Sequence, residues 1–225
     1  MDAPDALISA AAGMRAQAAR LDLIAADLAN AGTPGYRTSV PLGASFGERL
    51  GAASISSAQG ELRSTGVPTD VALSGPGYFA VATSDGVRYS RDGRLSADPT
   101  GTLVDARGNR VLGTLGPVRF PHRATIQSDG RIVFNGQTID RLRVVDIAGA
   151  ATQADGYCIA SQGAALTRAT AQVHSGYLED SGVNPIAEMT ALVSSQRVFE
   201  ANQKVAQRAD ETLRRAVTDV PAVQS

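Results

Sequence analysis

Each end of this chain carries an apolar stripe at heptad spacing. A helix with such a stripe must cover it with something. Near the start, Leu7, Ala11, Met14, Ala18, Leu21, Ala25 and Leu28 recur at alternating steps of four and three, the a/d rhythm of a coiled-coil helix. Near the end, Met189, Leu192, Gln196, Phe199, Gln203, Ala206, Asp210, Leu213 and Val217 keep the same rhythm, with Gln196, Gln203 and Asp210 interrupting it. One such stripe fits docking on the chain's own core, capture of a partner helix, or self-assembly. Two of them at opposite termini favour a subunit that assembles through its ends.

Local signals set the element boundaries. The first helix is predicted over Pro4–Asn30, with Asp2 or Ala3 as cap and Pro4 at the first helical position. Gly32 is placed for a left-handed C-cap, and Pro34 stops the helix. Three of its seven stripe residues are Ala, which bury only about one methyl each at ~0.8 kcal/mol. The helix is therefore expected to be weakly ordered until a partner covers it. The last helix is predicted from Asn184-Pro185 to about residue 217, with Asn184 as N-cap, Pro185 at N1, Glu188 in the first turn and Arg214 and Arg215 in the last. At 1.5 Å per residue it spans ~50 Å, long for a globular helix.

Between the helices the pattern changes. Residues 37–59 read as a Pro-, Ser- and Gly-rich linker with a short helical turn near Phe46–Leu50. From Gly60 onward, strands are predicted at Val67–Leu73, Tyr78–Val81, Leu142–Ile147 and Tyr157–Ala160. Asp85-Gly86 and Asp92-Gly93 read as hairpin turns, and further turns fall at Pro99–Gly101, Arg107–Asn109, Asp129-Gly130 and Asn135-Gly136. Short strands with frequent Gly turns give a mainly antiparallel β-domain. The fold class is α+β: N- and C-terminal coiled-coil helices flanking a central β-domain. The expected divisions are 1–36 (first helix), 37–59 (linker), 60–180 (β-domain), 181–218 (last helix) and 219–225 (tail). The two helices pack antiparallel on each other as a stalk, or each pairs with other subunits.

Composition removes several classes of function. The net charge of −1 over 225 residues gives no basic excess for a phosphate backbone or an anionic membrane surface. No apolar run reaches the ~20 residues that span a bilayer. The beginning of the sequence lacks the basic and apolar regions of a cleaved signal peptide. Cys158 is the only cysteine, so an intrachain disulfide and a Cys-based zinc site are excluded.

The residues that resemble reactive or ligand-binding motifs have simpler readings. Gly75-Pro76-Gly77-Tyr78-Phe79-Ala80 fits the spacing of a dinucleotide fingerprint, but strand rather than helix is predicted after it. His122 and His174 are 52 residues apart without ligand spacing. Asp85, Asp92, Asp98, Asp105 and Asp129 mostly adjoin turn residues, and turn chemistry accounts for them. There is no Gly-x-Ser-x-Gly elbow, and Cys158 reads as a small buried hydrophobe. The expectation is no catalytic residue, cofactor or metal.

Several blocks, in order, resemble the axial rod and hook proteins of the bacterial flagellum. Asp27–Arg37 looks like that family's signature after the first helix, including Asn30, Thr33, Pro34, Gly35 and Tyr36. Gln59–Leu62, Thr65-Gly66, Pro68–Leu73, Gly75–Phe79, Tyr89–Gly93 and Gly101–Val104 resemble its central stretch. Leu178–Pro185, Glu188–Thr190, Gln196-Arg197, Phe199-Glu200 and Lys204 resemble its C-terminal signature. The resemblance implies a structural, non-enzymatic rod subunit. It implies a helical axial core built from Leu7, Met14, Leu21, Leu28, Met189, Leu192, Phe199 and Leu213. The implied partners are further copies, other axial proteins and the flagellar type III export apparatus, with no nucleic acid and no direct membrane insertion. The implied place is the basal-body rod crossing the periplasm, where torque passes from motor to hook.

The short chain is most like the proximal-rod type. A distal-rod or hook subunit is the alternative within the family, and a β-domain binding module on a helical stalk is the alternative outside it. Two positions depart from the pattern. Gly182 stands where the family usually has Asn, which loosens the helix entry, and Tyr177 resembles the distal-rod type.

Overall fold

A computed structural model describes residues 3–41, 53–56, 58–147, 150–152, 156–160 and 165–218. The expected helical turn at Phe46–Leu50 and the tail at 219–225 lie outside the described residues. Helix α1 runs Ala3–Ala29 and helix α2 runs Pro185–Thr218, and the described residues between them form eighteen short strands. The chain divides into two compact units: Met1–Leu28, Pro41–Gly51 and Asn184–Ser225 form the helical one, and Ala29–Val40 with Ala52–Val183 form the β one.

In the helical unit, α2 starts as its sequence dictates. Asn184 Oδ1 accepts hydrogen bonds from the Ile186 and Ala187 amides at 3.1 and 3.2 Å, which satisfies two of the donors a helix start leaves open. Near its far end Arg214 pairs with Asp210 one turn back, at 3.0 Å, an exposed pair of small worth. The two helices touch near their midpoints. A Cβ built on Gly13 would lie 2.8 Å from Asn202 Nδ2, so the missing side chain lets α2 approach.

The β unit is built on a nine-stranded sheet. Along its main path the order is Ala150–Thr152, Cys158–Ala160, Gly86–Ser90, Tyr78–Thr83, Arg110–Val111, Leu103–Val104 and Ser96–Ala97. Val144–Ile147 pairs with both Tyr78–Thr83 and Leu166–Arg168. A three-stranded sheet joins Thr125–Ile126, Arg131–Phe134 and Gln137–Arg141. Two ladders bring distant sequence together antiparallel: Gln172–Ser175 on Val71–Ser74, and Tyr177–Glu179 on Leu62–Ser64. The span read as a linker contains a further ladder, Ser39–Pro41 with Ala53–Ile55.

Strand Tyr78–Thr83 sits between two apolar clusters because successive side chains point to opposite faces. Phe79 enters one cluster with Leu73, Leu103, Val111 and Ile132. Tyr78 and Ala80 enter the other with Tyr89, Val145 and Cys158. Cys158 is a buried core residue, as its neighbours in sequence indicated.

The turn signals mark hairpins with one exception. Asn135 and Gly136 both have positive φ, 52° and 78°, as a type I′ turn requires. The carboxylates of Asp98, Asp105 and Asp129 accept amide hydrogen bonds from residues two or four ahead, so they brace their own turns. Asp92-Gly93 is not a hairpin. Gly93 lies beside Val71, whose amide donates to the Gly93 carbonyl at 2.9 Å. A Cβ on Gly93 would fall 1.6 Å from the Val71 carbonyl oxygen. The dipeptide is there for close backbone approach.

Two measurements check this. Gly93→Ala, which forces backbone apart in the core, should lower stability by more than about 3 kcal/mol, read as a drop in urea midpoint. A midpoint unchanged from the parent chain contradicts the packing. Hydrogen bonds from the neighbouring turn also hold the Asp98 and Asp129 carboxyls below the ordinary aspartate value. The unfolded chain therefore takes up these protons first. The stability the two groups contribute is present above about pH 3.9 and is lost as pH falls through their folded values. Carboxyl NMR titration should show both midpoints below that of a free aspartate.

Candidate assembly site

The segment that follows α1 is bound into the β unit by its own sequence. Thr33 folds back on Asn30 through its amide at 3.0 Å and its hydroxyl at 3.2 Å. Pro34, Gly35 and Tyr36 are buried. The left-handed residue here is Gly35 (φ 69°), not Gly32 as the sequence indicated. A Cβ on Gly35 would lie 2.4 Å from the Arg91 carbonyl oxygen, whereas one on Gly32 meets nothing. The glycine is needed where the chain presses on the β-body, not where the helix stops.

The segment that leads to α2 lies against the same place. The Gly35 amide donates to the Glu179 carbonyl at 2.7 Å, and the Gly182 amide donates to the Tyr36 carbonyl at 2.9 Å. Gly60 backs onto this pair, since its Cβ would fall 1.9 Å from the Asp180 carbonyl oxygen. Gly182 itself has room for a side chain: an added Cβ would have its nearest neighbour 3.5 Å away.

Glu179 stands between two arginines in this junction. Its Oε2 accepts from Arg91 Nε at 2.6 Å, and its Oε1 accepts from Arg37 at 3.4 Å and from the Gly60 amide at 3.2 Å. The side chains of Arg37, Arg91 and Glu179 are 8%, 3% and 1% exposed. Arg91 spends its remaining donors on the carbonyls of Leu73, Gly75 and Gly77. Burial pulls the Arg91 guanidinium below the ordinary arginine value, and Glu179 opposes that pull. Gln59 completes the frame, donating to the Leu73 carbonyl at 2.8 Å and accepting from the Gly75 amide at 3.1 Å. The Gly75–Ala80 motif thus turns carbonyls toward an internal arginine. Strand follows it at Tyr78–Thr83, as expected of a tight turn.

A groove of about 290 Å³ opens beside the junction, lined by Pro34, Tyr36, Asp92, Arg94, Arg107 and Tyr157 among others. Arg94 is already paired with Asp92 at 2.6 Å. The Arg107 guanidinium lies 4.8 Å from the centroid of the Tyr157 ring, and the Tyr157 hydroxyl bonds Asp105. The groove's charges are matched internally. Among the described residues no group of three His, Cys, Asp or Glu side chains is placed to hold a metal ion.

The helical stripes lie one position over from their predicted placement on alternate residues. On α1, Met14, Leu21 and Leu28 are half-buried, but Ala18 and Ala25 are exposed, and Ala10 and Ile24 are covered instead. The side chain of Leu7 lies outside the described residues. On α2, Leu192, Phe199, Ala206 and Leu213 are half-buried, while Gln196, Gln203 and Asp210 are exposed. Met189, expected on the seam, is 55% exposed. Glu188, Ser195, Asn202 and Ala209 supply the covered alternate positions. The cause is geometric. Residues three and four beyond a seam position flank it on opposite sides, and Ala10 and Ala11 look alike to a hydrophobic count. Arg197 and Glu200 stay exposed on α2 and are not drawn into the junction.

Sequence reading named Arg37, Arg91 and Glu179 inside motif blocks without linking them. They are 54 and 88 residues apart, and nothing local joins them. Their test is thermodynamic. Glu179→Ala removes the buried carboxylate that Arg91 and Arg37 share and should cost about 3–5 kcal/mol in chemical unfolding. Gly35→Ala should unfold the junction, while Gly32→Ala should shift stability by no more than about 0.5 kcal/mol.

Three family models match the chain in the order of these elements. They are "Flagella basal body rod protein" at residues 7–37, "Flagellar hook protein FlgE/F/G D1 domain" at 72–134 and "Flagellar basal body rod FlgEFG protein C-terminal" at 174–219. The flagellar basal-body rod protein FlgF of Escherichia coli K12 is 36% identical, over 85% of this chain and 88% of its own length. FlgF of Mesorhizobium japonicum is 31% identical, over 87% and 89%. The flagellar basal-body rod protein FlgG of Bacillus subtilis 168 is 29% identical, over 94% and 97%. The first and last models fall on the helices and on the segments that enter and leave the buried charge cluster, and this chain belongs to the flagellar basal-body rod protein family.

Proposed function

We propose that the chain is a structural subunit of the proximal rod, which assembles through its terminal helices and passes torque along the flagellar axis. The supporting observation is the junction. Chain entering the β-body at residues 33–37 and chain leaving it at 179–182 are bonded to each other and to one buried Arg–Glu–Arg cluster. Pull on either segment is therefore shared with the β-sheets. The Arg91 and Glu179 charges there are desolvated and hydrogen-bonded to each other and to backbone, which favours one arrangement of the two segments on the β-body. The higher identity to relatives named FlgF than to those named FlgG supports the proximal assignment. No helix among the described residues is long and apolar enough to cross a membrane. In this reading the flagellar type III export apparatus delivers the subunit to a rod that crosses the periplasm. The partners in this reading are further copies and the neighbouring axial proteins.

Mass spectrometry of purified basal bodies, before and after removal of the hook, tests the placement. The chain should remain with the hookless rod; its loss with the hook contradicts the proposal. Leu21→Asp places a charge on the stripe common to the predicted and observed seams. It should abolish swimming while leaving the β-body's unfolding midpoint unchanged, and normal motility would refute the role of the seam.

A further inference from the structure

At the turn between Arg131–Phe134 and Gln137–Arg141, Asn135 and Gly136 are both exposed. Among the described residues, neither the Asn135 side chain nor the Gly136 amide has a hydrogen-bond partner. Nothing would lie within 4 Å of a Cβ on Gly136, so its nitrogen is uncrowded. The other asparagines of the described residues are held. Asn30 accepts from the Thr33 hydroxyl at 3.2 Å, and Asn109 donates to the Tyr157 hydroxyl at 2.7 Å. Asn184 caps α2 and precedes Pro185, which has no N–H. Asn202 lies inside α2, where the helix holds the next amide. Asp85, Asp92 and Asp129 also precede glycine, but each carboxylate is tied to an arginine. The Gly130 amide is spent on the Gln127 carbonyl at 2.9 Å. The register slips between Ile132 and Val133, which leaves only Val133–Thr138 and Phe134–Gln137 to close the turn end of the hairpin. So short an end opens locally more readily than the ladder behind it.

We propose that Asn135-Gly136 is a site of spontaneous covalent modification, where the chain converts its own asparagine to aspartate and isoaspartate through a cyclic imide. When the turn opens, the Gly136 nitrogen gives up its proton and bonds to Asn135 Cγ. The bond from Cγ to the side-chain nitrogen breaks, and ammonia leaves. Water then adds to the imide. Cleavage at Cγ restores the ordinary backbone with aspartate, whereas cleavage at the main-chain carbonyl leaves the chain running through the former side chain. The second product adds a backbone carbon between residues 135 and 136. A type I′ turn with φ of 52° and 78° at its two central residues has no room for that carbon, so the strand register is lost. The damage reaches inward, because Ile132 is fully buried in the main apolar cluster and Asp140 accepts from the Thr114 amide at 3.1 Å. The chemistry needs only water and does not depend on the rod-subunit reading.

The full chain is held folded in warm, mildly alkaline buffer and sampled over days. Peptide mapping by mass spectrometry follows each asparagine, electron-transfer fragmentation separates aspartate from isoaspartate, and the urea midpoint is read on the same samples. Asn135 should convert about tenfold or more faster than Asn30, Asn109, Asn184 or Asn202, whose neighbouring structure must open first. Both products should form, and the urea midpoint of the aged chain should fall in step with the isoaspartate fraction. Asn135→Gly keeps a residue that accepts positive φ and removes the reacting carbonyl, so this variant should fold, and its midpoint should stay constant on ageing. Conversion of another asparagine before Asn135 overturns the proposal. So does aspartate without isoaspartate at Asn135, since no imide then forms. An aged chain rich in isoaspartate with an unchanged midpoint overturns the link to strand register.

Discussion

The interaction on which the rest depends is the buried ion pair between Arg91 and Glu179, with Arg37 on its other side. Two charges removed from water are a liability unless every donor and acceptor is used. Here Arg91 and Glu179 find backbone partners from across the sequence: the carbonyls of Leu73, Gly75 and Gly77 and the amide of Gly60. Because the partners come from several segments, the cluster forms only when the sheets, the entering segment and the leaving segment are all in place. A local energetic demand becomes a condition on the topology of the β unit.

Close backbone approach is the second constraint, and it explains three glycines whose sequence context points elsewhere. Gly93 looks like part of a hairpin turn, Gly60 like the start of a domain, and Gly35 like one member of a loop motif. Each sits where a Cβ would fall within 2.4 Å of a carbonyl oxygen on a remote segment. All three contacts lie close to Arg91 or Glu179 in sequence or in space. The glycines let the backbone come near enough for the charged side chains to reach their partners. Gly32, by contrast, has neither a positive φ nor a neighbour, and its position after the helix reflects no conformational need.

The helices follow a different physics. The β unit is fixed by desolvated charge and tight packing, whereas the seam mixes Ala, Gly, Ser, Asn and Gln with a few large apolar residues. Such a seam is weak on its own and selective in register, which suits an element completed by neighbours. The contrast fits the proposed rod subunit, in which the terminal helices make the contacts of assembly.

What the sequence determined by itself is whatever depends on neighbours within a few residues. Asn184 and Pro185 set the start of α2, Asn135-Gly136 sets a type I′ turn, the aspartates brace their own loops, and the heptad rhythm announces both helices. The family signature also lies in contiguous blocks and is readable without coordinates. Only the tertiary structure decided which flank of each heptad is covered. Alternate positions three and four residues apart are equivalent until a partner surface selects one, so Ile24 and Ser195 entered the seam and Ala25 and Gln196 left it. Only the fold joined Arg37, Arg91 and Glu179, because charge pairing over tens of residues has no periodic trace in the chain. The same holds for Gly93, whose partner Val71 is a neighbour in space and whose sequence signal imitates a turn.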